Sequence, residues 1–427
     1  LSYEETIARF PPNIRKRYGE AWETLKKRPL NRRDARIASF VKAEKFNPLE
    51  KVNPDPRMIQ ARGVEYGLEL ARYLKPIEKY LYAMKGPTGL RMLAKGLNQR
   101  GRGALLAEKL RRFRRPVVFS LDASRWDKHV AADVLRIEHS VYNAIMRDPL
   151  LQRLLEWQVT NDCRTNNGVK YKVHGGRMSG DMNTALGNCL LMVLMVHAAM
   201  EDHPGMWDLM DDGDDCLLIV EEEEFERVRA RLPSTFLTFG QELKVENVAR
   251  DLRDVSFCQC RVVVTPSGPV MVRDWRKVLS QAACGVKHWG NPLLVRPLLT
   301  TIGHCELALA EGMPILQEFA LALIRNGNGQ LPRKLLTDPS MEARLRIALG
   351  RSNVTLDDLL AVRPMPIDPA TRVEFERTWG VTTVEQLHIE EILRGWTVGS
   401  VIAKEYPVEW EADWNSRVAL ENELPTI

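Results

Sequence analysis

Regularly spaced cysteines are missing from this chain: it has seven in 427 residues, an odd number without a pattern. That excludes a disulfide framework and points to a reduced, cytosolic protein. Long apolar runs are missing too. The longest nearly uninterrupted one, residues 189–200, is too short to span a bilayer and reads as a buried helix. No signal peptide, internal repeat or low-complexity segment is visible in these residues, and a repeat array is not expected. The first residue is Leu1, not Met. A processed product, or the downstream part of a longer polyprotein or readthrough product, is expected.

What is present is unevenly placed. The length exceeds one ordinary domain and allows two or three subdomains. Residues 1–116 hold 28 lysines and arginines against 12 acids; the remainder holds 33 against 44, giving the net +5. A basic first quarter beside an acidic remainder suits a protein that grips phosphates in one region and cations in another.

The acidic remainder has a focus. Met210 to Val220 reads as strand, turn, strand, with Gly213-Asp214-Asp215 at the tip. Adjacent carboxylates on a tight turn repel once partly buried, and a divalent cation is the usual compensation. Alone the tripeptide is a weak signal, and a solvated acidic turn is the plain alternative. Upstream, residues 116–121 read as a buried strand ending at Asp122, and Asp127 lies five residues on. Carboxylates converging from two strand ends form the donor set of a two-metal phosphoryl-transfer site. Between them, a glycine-rich turn from Gly175 opens into a helix carrying Thr184 and Asn188 on one face.

At these residues the chain resembles the viral RNA-dependent RNA polymerases, closely those of tombusviruses and their relatives. Asp122-Ala123-Ser124-Arg125-Trp126-Asp127 matches the family's first palm motif. Ser179-Gly180-Asp181-Met182-Asn183-Thr184, with Gly187-Asn188, matches the second, and Gly213-Asp214-Asp215 the third. Residues 256–260 followed by 270–273 look like the primer-grip hairpin, and 40–45 and 56–62 like the fingertip motif. Residues 312–317 and 371–382 resemble thumb segments, so the resemblance runs from about residue 40 to about 393.

The resemblance implies a mixed α/β, helix-rich chain in a right-hand fingers–palm–thumb arrangement with a small antiparallel palm sheet. It places fingers at 1–115, palm at 116–144, a fingers insertion at 145–176, palm again at 177–273, and a helical thumb with C-terminal extension at 274–427. It implies templated RNA synthesis from ribonucleoside triphosphates, initiated de novo, with two Mg2+ ions for which Mn2+ can substitute. Asp122, Asp214 and Asp215 would bind metal; Lys244 would protonate the pyrophosphate; Asp127, Ser179, Gly180, Thr184 and Asn188 would read the ribose. Lys42, Lys45, Arg57 and Arg62 would line the triphosphate and RNA path, and Phe257, Cys258 and Gln259 the primer grip. RNA template and nascent RNA are the expected partners. A membrane-anchoring viral replication protein and host factors are expected too, at membrane-associated complexes in the host cytoplasm.

Three alternatives stand beside this reading, the plainest being a basic helical protein with accidental matches, which the ordered motifs oppose. A reverse transcriptase or DNA polymerase shares the palm carboxylates but is not expected to pair Asp127 with Asn188. A non-catalytic RNA-binding scaffold on a degenerate palm fits poorly with intact Asp122, Asp214 and Asp215. Cys258 and Cys260, with Cys284, His288, His304 and Cys305, are the residue types of a zinc site; none is expected, and the first two are placed on a strand. Helical periodicity further predicts helices over 66–84, 127–146, 150–159, 225–232, 307–324 and 342–349, and hairpin chemistry predicts turns at Asn166-Asn167-Gly168 and Pro266-Ser267-Gly268.

Overall fold

A computed structural model describes residues 1–42, 55–284, 289, 291–331, 335 and 356–397. Lys45, His288 and the helix expected at 342–349 lie outside the described residues. The described chain forms two compact units, one of residues 1–274 and 368–380, the other of 275–331, 356–367 and 381–397.

In the first unit, β1 (Ile37–Val41) and β2 (Met58–Ala61) pair antiparallel, β1 runs parallel to β4 (Thr160–Thr165), and β4 turns back into β5 (Lys170–His174). The β4–β5 turn carries Gly168 at φ 89°, the left-handed backbone that the Asn-Asn-Gly sequence predicts. A second sheet is antiparallel throughout, in the order β6 (Trp207–Asp211), β7 (Asp215–Glu221), β3 (Pro116–Ala123), β8 (Leu243–Ala249). A hairpin of β9 (Cys260–Thr265) and β10 (Gly268–Arg273) stands apart from both sheets.

The middle of the central sheet is covered on both faces, which is why β3 and β7 read as nearly continuous apolar runs. Val117, Phe119 and Leu121 of β3 pack with Met192 and Val196 of the Thr184–Ala199 helix and with Phe225 and Phe236 of the Phe225–Thr238 helix. Val118 of β3, with Leu217 and Ile219 of β7, packs on the opposite face with Phe257, Val262 and Met271. The Thr184–Ala199 helix is apolar around its circumference because it has a layer on either side: Leu186 and Leu190 join a second cluster with Tyr66, Leu70, Tyr142 and Leu154.

The expected helix over 127–146 is two helices, Trp126–His129 and Ala132–Met146. The glycine turn breaks it: Gly176 N–H donates to the Val130 carbonyl at 2.7 Å and Arg177 N–H to the Asp127 carbonyl at 2.7 Å, taking acceptors that a continuous helix would use. Gly175 is required there, at φ 76°, because a Cβ would lie 2.7 Å from the Ala132 nitrogen. The 66–84 and 150–159 predictions correspond to helices Val64–Tyr82 and Pro149–Val159.

The second unit is helical. Pro292–Leu309 packs on Leu316–Asn326, and Thr383–Gly395 packs on the latter. Close approach of the first pair depends on Gly303, where a Cβ would meet Ile324 at 2.7 Å. The helix expected over 307–324 is interrupted, since Gly312 takes φ 69° and Pro314 follows in the connecting turn. Among the described residues no helix is long and apolar enough to cross a membrane.

Candidate active site

Asp122 lies where β3 leaves the core, and the ladder places Asp215 of β7 opposite it on one side and Lys244 of β8 on the other. Like charges directly opposed across a sheet destabilise it. The Asp215 carboxyl shows the strain: burial, then Asp214, Asp212 and Asp122 raise it above the ordinary range, against a hydrogen bond from Cys258. Asp214 is exposed at the hairpin tip, next to Gly213, whose φ of 111° lets the chain reverse there. Asp212 N–H closes the turn onto the Asp215 carbonyl at 2.9 Å.

The two acids before the glycine are held inside. Asp211 is fully buried and accepts from Gly213 N–H at 3.1 Å; burial pushes its carboxyl far above the ordinary range. Asp212 is clamped by cations. Lys95 Nζ sits 2.8 Å from its Oδ1 and donates to its carbonyl at 3.2 Å, while Arg102 pairs with Oδ2. Sequence reasoning missed both cations, and nothing local marks them, because each meets the acid across more than a hundred residues of chain.

On the other side of the site, Asn188 Nδ2 donates to Asp127 Oδ1 at 3.4 Å. Burial raises the Asp127 carboxyl; Asn188, Arg177 and Arg57 favour its ionised form, and Asp214 opposes it. Asp122, Asp127, Asn188, Asp214, Asp215, Lys244 and Arg57 thus gather at one end of the central sheet. The Cys258 thiol reaches the same place, 3.6 Å from Asp212 Oδ2.

Other expected site residues sit differently. Arg62 is buried: its guanidinium pairs with Asp181 and donates to Asn161 at 2.6 Å and to the Ala35 carbonyl at 2.7 Å. With those donors spent, Arg62 ties β2 to the glycine turn, and the expectation of a phosphate-path residue is corrected. Thr184 donates to the Met178 carbonyl at 2.6 Å, and Ser179 Oγ accepts from Gln60 N–H at 3.2 Å, so both hydroxyls engage backbone. Gly180 N–H donates to the Gln60 carbonyl at 2.8 Å. Lys42 N–H donates to the Arg57 carbonyl at 2.8 Å, where β1 ends and β2 begins. Cys258 is not on a strand: Phe257 and Cys260 pair across a tight turn in which Cys258 and Gln259 take φ of 48° and 59°. Phe257 anchors that turn in the core while Gln259 is exposed.

The carboxylates suit hard divalent cations in type, and their mutual repulsion supplies the driving force. Among the described residues, no three His, Cys, Asp or Glu side chains already converge on one ion. Mg2+ keeps several waters and is typically held by one or two carboxylates plus substrate phosphates.

Residues 2–401 match the family model described as viral RNA dependent RNA polymerase. The RNA-directed RNA polymerase of Turnip crinkle virus is 38% identical over 381 residues, covering 88% of this chain and 48% of the relative. That of Groundnut rosette virus is 34% identical, covering 92% and 46%, and that of Tomato bushy stunt virus 35%, covering 93% and 47%. The chain spans about half the length of these curated relatives. With the family model matched over nearly the whole sequence, the chain belongs to the viral RNA-dependent RNA polymerase family.

Proposed function

We propose that this chain is the polymerising part of a viral replicase: it copies positive-strand RNA by nucleotidyl transfer from ribonucleoside triphosphates. The observation that carries the reading is the facing of Asp122 and Asp215 across β3–β7, beside the Asp214 tip and with Lys244 opposite Asp122. The 3′-hydroxyl of the growing strand attacks the α-phosphate and pyrophosphate leaves. Asp122 and Asp214 would hold two Mg2+ ions, or Mn2+, with Asp215 assisting. Ions bound there lower the pKa of the attacking hydroxyl and neutralise charge on the triphosphate.

The chain's own residues do the rest. Lys244, opposite Asp122, gives a proton to the departing pyrophosphate. Arg57 offers a fork to phosphate oxygens beside Asp127, with Lys42 as a nearby point charge. Asp127 and Asn188 read the ribose 2′-hydroxyl. Ser179, Gly180 and Thr184 shape that pocket through backbone contacts. In the right-hand description, the central sheet is the palm, the sheet of β1, β2, β4 and β5 belongs to the fingers, and the second unit to the thumb; the Phe257–Cys260 turn is the primer grip. De novo initiation and recruitment to membrane-associated complexes rest on family resemblance.

The test is purified chain with a short RNA template and labelled nucleotides, with Mg2+ or Mn2+, feeding rNTPs and dNTPs in parallel with and without primer. Templated incorporation of rNTPs in strong preference to dNTPs is expected. A preference for dNTPs, or no incorporation with either ion, would refute the proposal.

A further inference from the structure

Arg177 and Glu138 form an ion pair buried inside the first unit, with side chains 1% and 0% exposed. Burial alone would raise the Glu138 carboxyl; the guanidinium beside it wins and holds it below the ordinary range. Glu138 Oε1 also accepts from Tyr142 Oη at 2.9 Å and from Asn183 Nδ2 at 2.7 Å, and Gln158 Nε2 donates to Asn183 at 2.8 Å. The backbone leaves this pair no slack. A Cβ on Gly187 would lie 2.3 Å from Glu138 Oε1 and 2.6 Å from Arg177 Nη2.

An Arg177 donor turned away from Glu138 has a specific use. Nε donates to Asn188 Oδ1 at 2.8 Å. A guanidinium can only donate, so the oxygen of the Asn188 amide must face it and the nitrogen must face Asp127. We infer that Arg177, oriented by Glu138, is a positioning residue for sugar selection: it fixes which end of the Asn188 amide meets the nucleotide. This rests on the reading that Asp127 and Asn188 contact the ribose. The amide oxygen being spent on Arg177, Asn188 offers the 2′-hydroxyl an N–H only. The hydroxyl accepts from Asn188 and donates to Asp127. A 2′-deoxy sugar forfeits both of these hydrogen bonds, a loss that discriminates against it. Without Arg177 the amide is free to turn, and its oxygen would face the Asp127 carboxylate.

Two variants separate positioning from mere stability. Arg177→Lys keeps a charge for Glu138 but loses the Nε donor to Asn188. The double variant Glu138→Gln/Arg177→Met removes both buried charges together, which folded proteins tolerate far better than removal of one. Steady-state kinetics with an rNTP and its 2′-deoxy analogue should show the ratio of kcat/KM values falling roughly tenfold in either variant, as loss of one buried hydrogen bond implies. Melting temperature should stay near that of the unmodified chain. A folded variant that keeps the ratio, or slows both substrates by one factor, overturns the inference. Asn188→Ala run alongside tells the two readings apart. If it lowers the ratio and Arg177→Lys does not, only the positioning role fails; if Asn188→Ala leaves the ratio unchanged, the ribose reading fails with it.

Discussion

Asp211, Asp212, Asp214 and Asp215 are alike in sequence and held in four different ways. Asp214 faces solvent, Asp215 is crowded by its neighbours, Asp212 is neutralised by Lys95 and Arg102, and Asp211 is buried with its carboxyl pushed far up. The sequence made the Gly-Asp-Asp tip and its partner Asp122 legible because strand ends and turn glycines leave local patterns. It could not tell which acids would be caged, since their cations come from distant chain. Asp211 gives a test of pH dependence. Its folded value lies above the ordinary aspartate value near 4, so the folded state keeps a proton that the unfolded chain releases. Stability from that proton is full below the unfolded value and is lost as pH rises from there toward the folded value, at about 1.4 kcal/mol per pH unit. Asp211→Asn, which mimics the protonated acid, should therefore melt no lower than the unmodified chain at pH 7, and its relative advantage should shrink as pH falls to 4. A melt several degrees lower at pH 7 would mean that Asp211 is ionised and paired in the fold.

Strands β3 and β7 were readable from their apolar runs, β6 only from its last two residues, and the hairpins from Asn-Gly and Ser-Gly turns. Strand β8 was not read as a strand: Leu243-Lys244-Val245-Glu246-Asn247 has one weakly apolar face, and pairing with β3 rather than its own pattern makes it a strand. The helix breaks at residues 130–131 and 310–315 were equally hidden, because tertiary contacts and turn geometry override periodicity there. Gly180 shows how tightly such elements meet. A Cβ there would lie 2.7 Å from the Gln60 carbonyl and 2.8 Å from Ala61 Cα, both backbone atoms that cannot swing aside. Gly180→Ala should push the glycine turn off β2 and cost roughly 1–3 kcal/mol, seen as a lowered urea midpoint. An unchanged midpoint would show that the turn has room to move.

At the scale of the molecule, the proposed function gives the basic first quarter an RNA backbone to hold and the carboxylate-rich end of the central sheet cations to hold. If residues 1–116 contact phosphates, the logarithm of RNA affinity should fall linearly and steeply with the logarithm of salt concentration, with little dependence on RNA sequence. A flat salt response would place that positive surplus in solvent. Charge asymmetry was visible in the sequence, but not which cations are spent internally: Arg62, Lys95, Arg102 and Lys109 all pair with acids inside the first unit. The most direct test of the whole account is templated rNTP incorporation by Asp122→Ala and by Asp214→Ala, measured beside their RNA binding and thermal melts. The account predicts that either substitution abolishes incorporation while binding and melting stay close to those of the unmodified chain. Normal incorporation by Asp214→Ala would contradict it.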